Sequence, residues 1–161
     1  MLHSQILVRY GELSLKSTYV RNRFEQALIQ HCRATLSTNG ISCKFTRTRG
    51  RIFIKTSDDN TALLLLQRVF GITSLSKVYK TSNNIEDIAQ VAYQIRQDIL
   101  DANHSFAVRV SRTGSHTFTS QEAAAFIGQY LVDQTHAPVK LSRPDVEVGV
   151  EIRDHLLMCK Q

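Results

Sequence analysis

Residues 44–55 read KFTRTRGRIFIK, a stretch in which arginines alternate with other residues on both sides of Gly50. The three arginines are Arg47, Arg49 and Arg51. Two runs of strand-forming residues separated by a glycine are typical of a β-hairpin. The hairpin would hold three guanidinium groups at one tip, and the sequence has no carboxylate between Glu25 and Asp58 to offset their repulsion. Such a tip is either a solvated turn or a place where an anion binds.

The residues before this hairpin predict a strand and a long helix. Residues 4–10, SQILVRY, alternate as a strand does. Ser17 is a suitable N-cap for a helix whose apolar residues recur at helical spacing. Asn39 followed by Gly40 is a suitable end for that helix.

A shorter helix and a strand are predicted after the hairpin. Asn60 is expected to cap this helix, and Gly71 is expected to occupy its C′ position. Four apolar side chains should face inward: Leu63, Leu66, Val69 and Phe70. The strand ITSLSKVYK (72–80) then completes a β-α-β-β-α-β order, which is the split βαβ arrangement of ferredoxin-like domains. The sequence therefore predicts an α+β ferredoxin-like domain over residues 1–80.

A polar junction, TSNN (81–84), is the predicted domain boundary. After it, five apolar residues recur at steps of three and four, which marks one face of a helix: Ile85, Ile88, Ala92, Ile95 and Ile99. HSFAVRVS (104–111) is predicted as a strand, and Thr119 with Glu122 has the spacing of a capping box. With two or three closing strands, residues 81–161 should form a second α/β domain.

The positive charge of the chain is concentrated in its first third. The formal net charge is +6, and residues 1–55 contain ten Lys and Arg against two acidic residues, which gives +8 for this segment. The remaining residues contain ten basic and twelve acidic side chains, which gives −2. Arginine outnumbers lysine thirteen to seven, and its planar fork suits phosphates and base edges. The asymmetry indicates that the binding partner is a nucleic acid or, as the second choice, a membrane surface, although a basic face is often only solvated.

The lack of a targeting signal and the usage of cysteine together predict a cytoplasmic protein. The longest apolar run, LLLL at 63–66, is far too short to span a membrane, and the first residues do not form a signal peptide. The odd number of cysteines, without C-x-x-C spacing, indicates reduced and buried thiols: Cys32, Cys43 and Cys159.

The sequence lacks the motifs of the common nucleotide-activating and metal-dependent enzymes. All seven glycines are isolated, so no G-x-x-x-x-G-K or G-x-G-x-x-G loop can cradle phosphates. The six histidines are scattered, without the spacing of a zinc site. Glu147 and Glu151 share one strand face, for which a solvated surface is the ordinary interpretation. We therefore expect a binding module with no catalytic residues, no metal and no cofactor.

Several segments resemble one family of RNA-modifying enzymes. ILVRYGELSLKSTYVRNRFEQAL (6–28) is similar to the start of the tRNA 4-thiouridine synthetases, also called tRNA sulfurtransferases or the ThiI family. FAVRVSRTGSHTFTSQEAAAFIGQYLV (106–132) and LSRPDVEVGVEIRDHLLM (141–158) resemble the THUMP domain of the same proteins. RVFGITSLSKVY (68–79) is similar to the family's segment between the two. The resemblance covers nearly the whole chain, in order.

The resemblance implies a role in binding tRNA. In that family the ferredoxin-like and THUMP domains bind tRNA, and THUMP engages the 3′ acceptor end. A following PP-loop domain adenylates uridine 8 with ATP, and a cysteine persulfide delivers the sulfur. The sequence contains no S-G-G-x-D-S motif, so the catalytic half is expected on a separate polypeptide or in a longer chain from which this one is excised. The implied partners are tRNA and a PP-loop sulfurtransferase domain, with a homodimer possible and no membrane.

The candidate RNA-binding residues are the cations of these segments and of the hairpin tip: Lys16, Arg21, Arg23, Arg47, Arg49, Arg51, Arg109, Arg112, Lys140 and Arg143. Arg112 ends a strand, and Pro144 is expected to hold the backbone of Arg143 extended. Both residues could then present a fork to an unpaired 3′ nucleotide. The simpler alternatives are a hairpin tip that is only solvated, and an Arg112 that pairs with Asp145 or Glu147 across strands.

Two other functions stay open at this point. The second possibility is the THUMP part of a tRNA methyltransferase, deaminase or pseudouridine synthase, although GELSLK (11–16) disfavours this. A ferredoxin-like module that senses a small molecule is the third possibility. It differs from the first two because it predicts no salt-dependent affinity for RNA.

Overall fold

The structure, a computed structural model, describes residues 2–11, 16–48, 50–153 and 156–160, the last range by its backbone alone. The chain divides into two compact units, Ser4–Lys77 and Met1–His3 together with Val78–Gln161. Helices and strands are mixed in both units, which confirms the predicted α+β class. The predicted domain boundary after residue 80 stays a prediction.

The first unit has the predicted β-α-β-β-α-β order. Its elements are β1 (Ser4–Tyr10), α1 (Thr18–Thr38), β2 (Cys43–Thr48), β3 (Arg51–Thr56), α2 (Asp59–Leu66) and β4 (Ile72–Thr81), whose last residues belong to the second unit. The strand order is β2-β3-β1-β4, and β3 is antiparallel to both of its neighbours. The core lies between one sheet face and the two helices, where Ile6 and Ile54 pack with Leu28, Leu36 and Leu66.

Helix α1 begins and ends where the sequence predicts. The Ser17 side chain accepts a hydrogen bond from the Val20 amide at 3.3 Å, so Ser17 is the N-cap. At the other end, the Asn39 amide donates to the Leu36 carbonyl at 3.1 Å. Gly40 follows with a φ of 72°, a conformation that glycine adopts without a steric cost.

Three details of α2 differ from the prediction. Its N-cap is Asp58, whose carboxylate accepts from the Thr61 amide at 3.1 Å, and not Asn60. The helix ends at Leu66, so Gly71 (φ 94°) lies beyond the C′ position. Phe70 is 93% exposed and does not face inward, because the helical periodicity that would direct its side chain has already ended.

The second unit is built around a parallel strand pair. Its elements are α3 (Ile85–Arg96), β5 (Phe106–Thr113), α4 (Ser120–Thr135), β6 (Val146–Arg153) and β7 (Leu156–Lys160). β5 is parallel to β6, which requires a crossover, and α4 supplies it. β7 is antiparallel to β6 and to the end of β4.

The core of this unit confirms most of the predicted helix face. Ile88 and Ala92 of α3 are buried with Phe106 of β5 and Ile127 of α4. Ile99, which was expected on the same face, lies beyond the end of α3 and is exposed, because the helix stops at Arg96. The predicted capping box is present at the start of α4, where the side chains of Thr119 and Glu122 each accept from the other's backbone amide.

Candidate nucleic-acid interface

Nine of the ten predicted RNA-binding cations lie among the described residues. Five are in the first unit: Lys16, Arg21, Arg23, Arg47 and Arg51. Four are in the second unit: Arg109, Arg112, Lys140 and Arg143. Arg49 lies outside the described residues.

The first turns of α1 form a cationic helix end. Lys16 and Arg23 are exposed and Arg21 is half-buried, while the first turn contains no acidic residue. The guanidinium of Arg23 lies 5.9 Å from the centre of the exposed Tyr19 ring. A helix N-terminus carries partial positive charge, and with these side chains it favours an anion such as a phosphate.

A buried carboxylate that sequence analysis missed connects this helix to the hairpin. Glu25 of α1 is only 3% exposed. Its carboxylate accepts from the Tyr10 hydroxyl of β1 and from Arg47 Nη1 of β2, the latter at 2.9 Å. Burial raises the pKa of the Tyr10 hydroxyl, and its hydrogen bond to Glu25 raises it further. Glu25 therefore holds three elements of the first unit together through polar contacts.

The network changes the interpretation of the arginine tip. Arg47 forms an ion pair with Glu25, so α1 supplies the carboxylate that the hairpin sequence itself lacks. Burial and Glu25 raise the pKa of the Tyr10 hydroxyl, while the charges of Arg21 and Arg47 lower it by smaller amounts. Arg51, the first residue of β3, is half-buried opposite Thr48. The hairpin is thus joined to α1 through Glu25, which holds Arg47 of β2 beside Tyr10 of β1.

A signal for Glu25 was present in the sequence. The buried positions of α1 are Glu25, Leu28, Cys32 and Leu36, which recur at steps of three and four. A carboxylate at an apolar position of a helix needs a partner, because an unpaired buried charge is costly. The partner could not be read from the sequence, since Tyr10 and Arg47 come from different strands.

In the second unit, Arg109 anchors the loop that precedes β6. Its Nη2 donates to the Leu141 carbonyl at 2.6 Å, and its Nε lies 3.5 Å from Glu147 Oε1. Asp145 fixes the other end of this loop by accepting from the amide and hydroxyl of Ser105, at 2.8 and 2.7 Å. These bonds from Ser105 lower the pKa of Asp145. Arg109 is therefore partly occupied in holding the loop that presents Lys140 and Arg143.

The backbone of Arg143 contradicts the prediction of an extended conformation before Pro144. Its φ is 51°, in the left-handed region, although a following proline disfavours helical conformations. The local preference is overruled because both flanks of the turn are fixed, with the Lys140 amide bonded to the Phe106 carbonyl at 2.8 Å and Asp145 bonded to Ser105. The Arg143 and Lys140 side chains are exposed.

We expect Arg143→Gly to stabilise the second unit, because glycine removes the steric cost of a left-handed residue. That cost is roughly 1–2 kcal/mol, and the extra backbone freedom of glycine in the unfolded chain offsets part of it. Thermal unfolding should therefore show a midpoint higher by a few degrees. Arg143→Ala is the matched control, since it removes the same charge and keeps the backbone cost. An equal rise in both variants would show that the charge, and not the backbone, is responsible.

Arg112 lies exposed near the end of β5, opposite Ile152 in the parallel pairing. Hydrogen bonds from Thr119 lower the pKa of Glu122, and the charge of Arg112 adds to this effect. The suggested partners Asp145 and Glu147 instead contact Ser105 and Arg109, and no ion pair joins either to Arg112 within the described ranges. Arg112 is therefore an exposed cation at the end of β5 whose charge acts on the Glu122 carboxylate at the start of α4.

Other predicted features have mixed outcomes. Cys32 is buried, and this burial raises the pKa of its thiol to about 11, while Cys43 is half-buried. The side chain of Cys159 is outside the described residues. Glu151 is buried, and its Oε1 lies 2.7 Å from Arg153 Nε, so the interpretation as a solvated face is wrong for this residue. Glu147 is exposed.

The described residues contain neither a cluster of metal ligands nor a membrane-spanning helix. Within the ranges given above, no three His, Cys, Asp or Glu side chains cluster as metal ligands would. Among the same residues, no helix has the length and apolar character needed to cross a bilayer.

Two family models match successive parts of the chain. The ThiI ferredoxin-like domain matches residues 5–76, and the THUMP domain matches residues 82–158. A "Probable tRNA sulfurtransferase" of Methanobrevibacter smithii is 36% identical over 159 residues, which cover 96% of this chain and 40% of that protein. One of Methanothermobacter thermautotrophicus is 39% identical over 92% of this chain and 38% of its own length. The chain thus spans about two fifths of these relatives.

Solved structures show the same arrangement of elements. PH1313 from Pyrococcus horikoshii superposes with a TM-score of 0.82 at 29% identity, over 98% of this chain and 54% of that one. A 4-thiouridine synthetase, crystallised as an RNA complex with bound ATP, gives 0.77 at 22% identity, over 98% of this chain and 40% of that one. At that identity the second likeness concerns the fold alone.

Proposed function

Because the chain belongs to the tRNA sulfurtransferase (ThiI) family through its ferredoxin-like and THUMP domains, we propose that it is the tRNA-binding part of a 4-thiouridine-forming system. The observation that carries this proposal is the succession of the two family matches along nearly the whole chain. The exposed cations of each unit support it, since phosphate contacts from such side chains give affinity and fix the position of the RNA.

The sulfur transfer itself is assigned to a PP-loop domain that uses ATP. The relatives are more than twice as long as the region they share with this chain, which leaves room in them for a catalytic domain. A homodimer, a cytoplasmic location and a domain boundary after residue 80 belong to the same proposal.

The second unit is proposed to bind the unpaired 3′ end of tRNA. Arg112 and Arg143 are exposed, and Lys140 lies in the same anchored loop as Arg143. Single-stranded ends offer phosphates, base edges and base faces that an RNA duplex hides. A loop held at Leu141 and Asp145 can present its cations without paying the full cost of ordering them on binding.

The test compares intact tRNA with tRNA trimmed of its unpaired 3′ nucleotides. We expect trimming to weaken binding to the wild-type chain about tenfold, because each lost base contact is worth roughly 1–3 kcal/mol. Arg112→Ala and Arg143→Ala should lose less on trimming, since their contacts are already absent. Lys44→Ala is the control: it removes an exposed cation of β2, and its ratio of the two affinities should equal that of wild type.

Equal affinity of the wild-type chain for both RNAs would contradict the 3′-end assignment, and no affinity for either would contradict tRNA binding altogether. The alternative of a THUMP part from another tRNA-modifying enzyme is less favoured, because residues 5–76 match the ferredoxin-like domain of the ThiI family. A sensor of small molecules would bind neither RNA.

A further inference from the structure

We propose that a groove in the first unit, between α1 and the segment that follows α2, binds one unpaired nucleotide of an RNA. The groove has a volume of about 360 Å³, and its lining combines three apolar and three polar side chains: His31, Thr35, Leu65, Arg68, Val69 and Phe70. None of these residues was among the predicted RNA contacts. The inference rests on the proposed function and adds a second place where the RNA is held.

The main observation is the position of Phe70. Phe70 is 93% exposed at the rim of the groove, and leaving so large an apolar side chain in water is unfavourable. The chain turns at Gly71 with a φ of 94°, and a Cβ there would lie 3.2 Å from the Phe24 ring. Glycine at 71 thus lets the backbone approach the core while Phe70 stays outside. An aromatic ring held out in this way offers a flat face to a nucleobase.

The polar lining suits the rest of a nucleotide. Arg68 provides a guanidinium that can bind a phosphate, and His31 provides an exposed imidazole one helical turn before Thr35. The Thr35 hydroxyl donates to the His31 carbonyl at 2.9 Å, so its oxygen remains an acceptor towards the groove. A ring face, a guanidinium and an acceptor together match a base, a phosphate and a ribose hydroxyl.

The charge around the groove favours an anion over a cation. The described carboxylates of Ser4–Lys77 are Glu25, Asp58 and Asp59, and none lines the groove. Glu25 is bonded to Tyr10 and Arg47, Asp58 caps α2, and Asp59 bonds Ser4 and Thr56. No described acid in this unit is therefore placed to repel a phosphate in the groove.

The size of the groove distinguishes a single nucleotide from a duplex. Small-molecule sites range from about 300 to 1,000 Å³, so the groove is near the lower limit. Stacking of one base on an exposed ring tolerates any base, because every base has a π face. We therefore expect affinity for unpaired nucleotides without a strong sequence preference at this place.

The test uses the intact chain and two probes, a short single-stranded RNA carrying one 2-aminopurine and a blunt-ended RNA duplex. Phe70→Ala should weaken binding of the single strand about 5- to 140-fold, which corresponds to the measured range for loss of one stacked base. Phe70→Leu should lose nearly as much affinity, because leucine is apolar but has no ring on which a base can stack. Phe70→Trp should bind as well as wild type. Binding of the duplex should change little in all three. Stacking should quench the 2-aminopurine fluorescence in the wild-type complex and not in Phe70→Ala.

Leu64→Ala is the matched control, since Leu64 is 66% exposed on α2 and does not line the groove. Its affinity for both probes should equal that of wild type, and none of these substitutions should shift thermal unfolding. Full retention of single-strand affinity in Phe70→Ala, with tRNA still bound by the wild-type chain, would overturn the groove assignment and leave the proposed function standing. A change in sedimentation of Phe70→Ala at unchanged RNA affinity would overturn it in favour of a protein contact. Loss of RNA binding by wild type itself would refute both.

Discussion

Raising the monovalent salt concentration from about 50 to 200 mM is expected to weaken tRNA binding about a thousandfold if six of the ten candidate cations contact phosphates. Each phosphate that a Lys or Arg neutralises releases condensed counterions, and this release becomes less favourable as the salt concentration rises. The +8 charge of residues 1–55 makes the first unit the main source of the effect. The measurement is a titration of labelled tRNA at several salt concentrations, plotted as log affinity against log salt.

The structure separates the contributions of individual arginines to this slope. Arg23 is exposed at the start of α1, so Arg23→Ala should flatten the slope by roughly 0.7 to 0.9. Arg47→Ala should flatten it less, because Glu25 already neutralises part of the Arg47 charge. Lys55→Ala, which removes an exposed cation outside the candidate set, serves as the control and should leave the slope unchanged. A slope near zero for wild type would mean that binding, if any, does not rest on phosphates, and equal changes in Arg23→Ala and Arg47→Ala would contradict the role given to Glu25.

Glu25→Ala is expected to lower the free energy of unfolding by about 2–3 kcal/mol. Removing one partner of a buried ion pair costs roughly 3–5 kcal/mol, and the 36% exposure of Arg47 reduces this because water solvates the remaining charge. The Tyr10 hydroxyl would also lose its acceptor in a half-buried site. For a chain of this size the midpoint of thermal unfolding should fall by roughly 5–10 °C.

Two variants control this experiment. Glu25→Gln keeps an acceptor for Tyr10 and loses the ion pair with Arg47, so it should fall between wild type and Glu25→Ala. Asp98→Ala removes an exposed carboxylate of the other unit and should shift the midpoint by no more than about 1–2 °C. If Glu25→Ala unfolds at the same temperature as Asp98→Ala, the network contributes no stability.

Local signals predicted the order of elements correctly. The Ser17 cap, the Asn39 end and the capping box of Thr119 and Glu122 each depend on residues within one helical turn. Such contacts form wherever the backbone is helical, so the sequence specifies them without knowledge of the fold. The α2 boundaries were less accurate because three polar residues, Ser57 to Asp59, precede Asn60 and compete to cap one helix.

The cations of the candidate interface could be named from the sequence, but their partners could not. Arg47 meets Glu25 only because β2 lies beside α1, and Arg109 meets the Leu141 carbonyl only because β5 and β6 are parallel neighbours. Both contacts join residues more than twenty positions apart. The exposure of Phe70 was missed for a related reason, since helical spacing was extended past Leu66, where the helix ends.

The left-handed backbone of Arg143 sets stability against binding at a single position. A sequence selected only for resistance to heat would carry glycine there, since the steric cost would vanish. An engineer who raised the melting temperature by that route would remove one of the cations that we propose to contact the 3′ end of tRNA. Thermal screening alone would therefore favour a protein that is more stable but binds RNA less tightly. Variants of this loop should be ranked by RNA affinity before they are ranked by thermal stability.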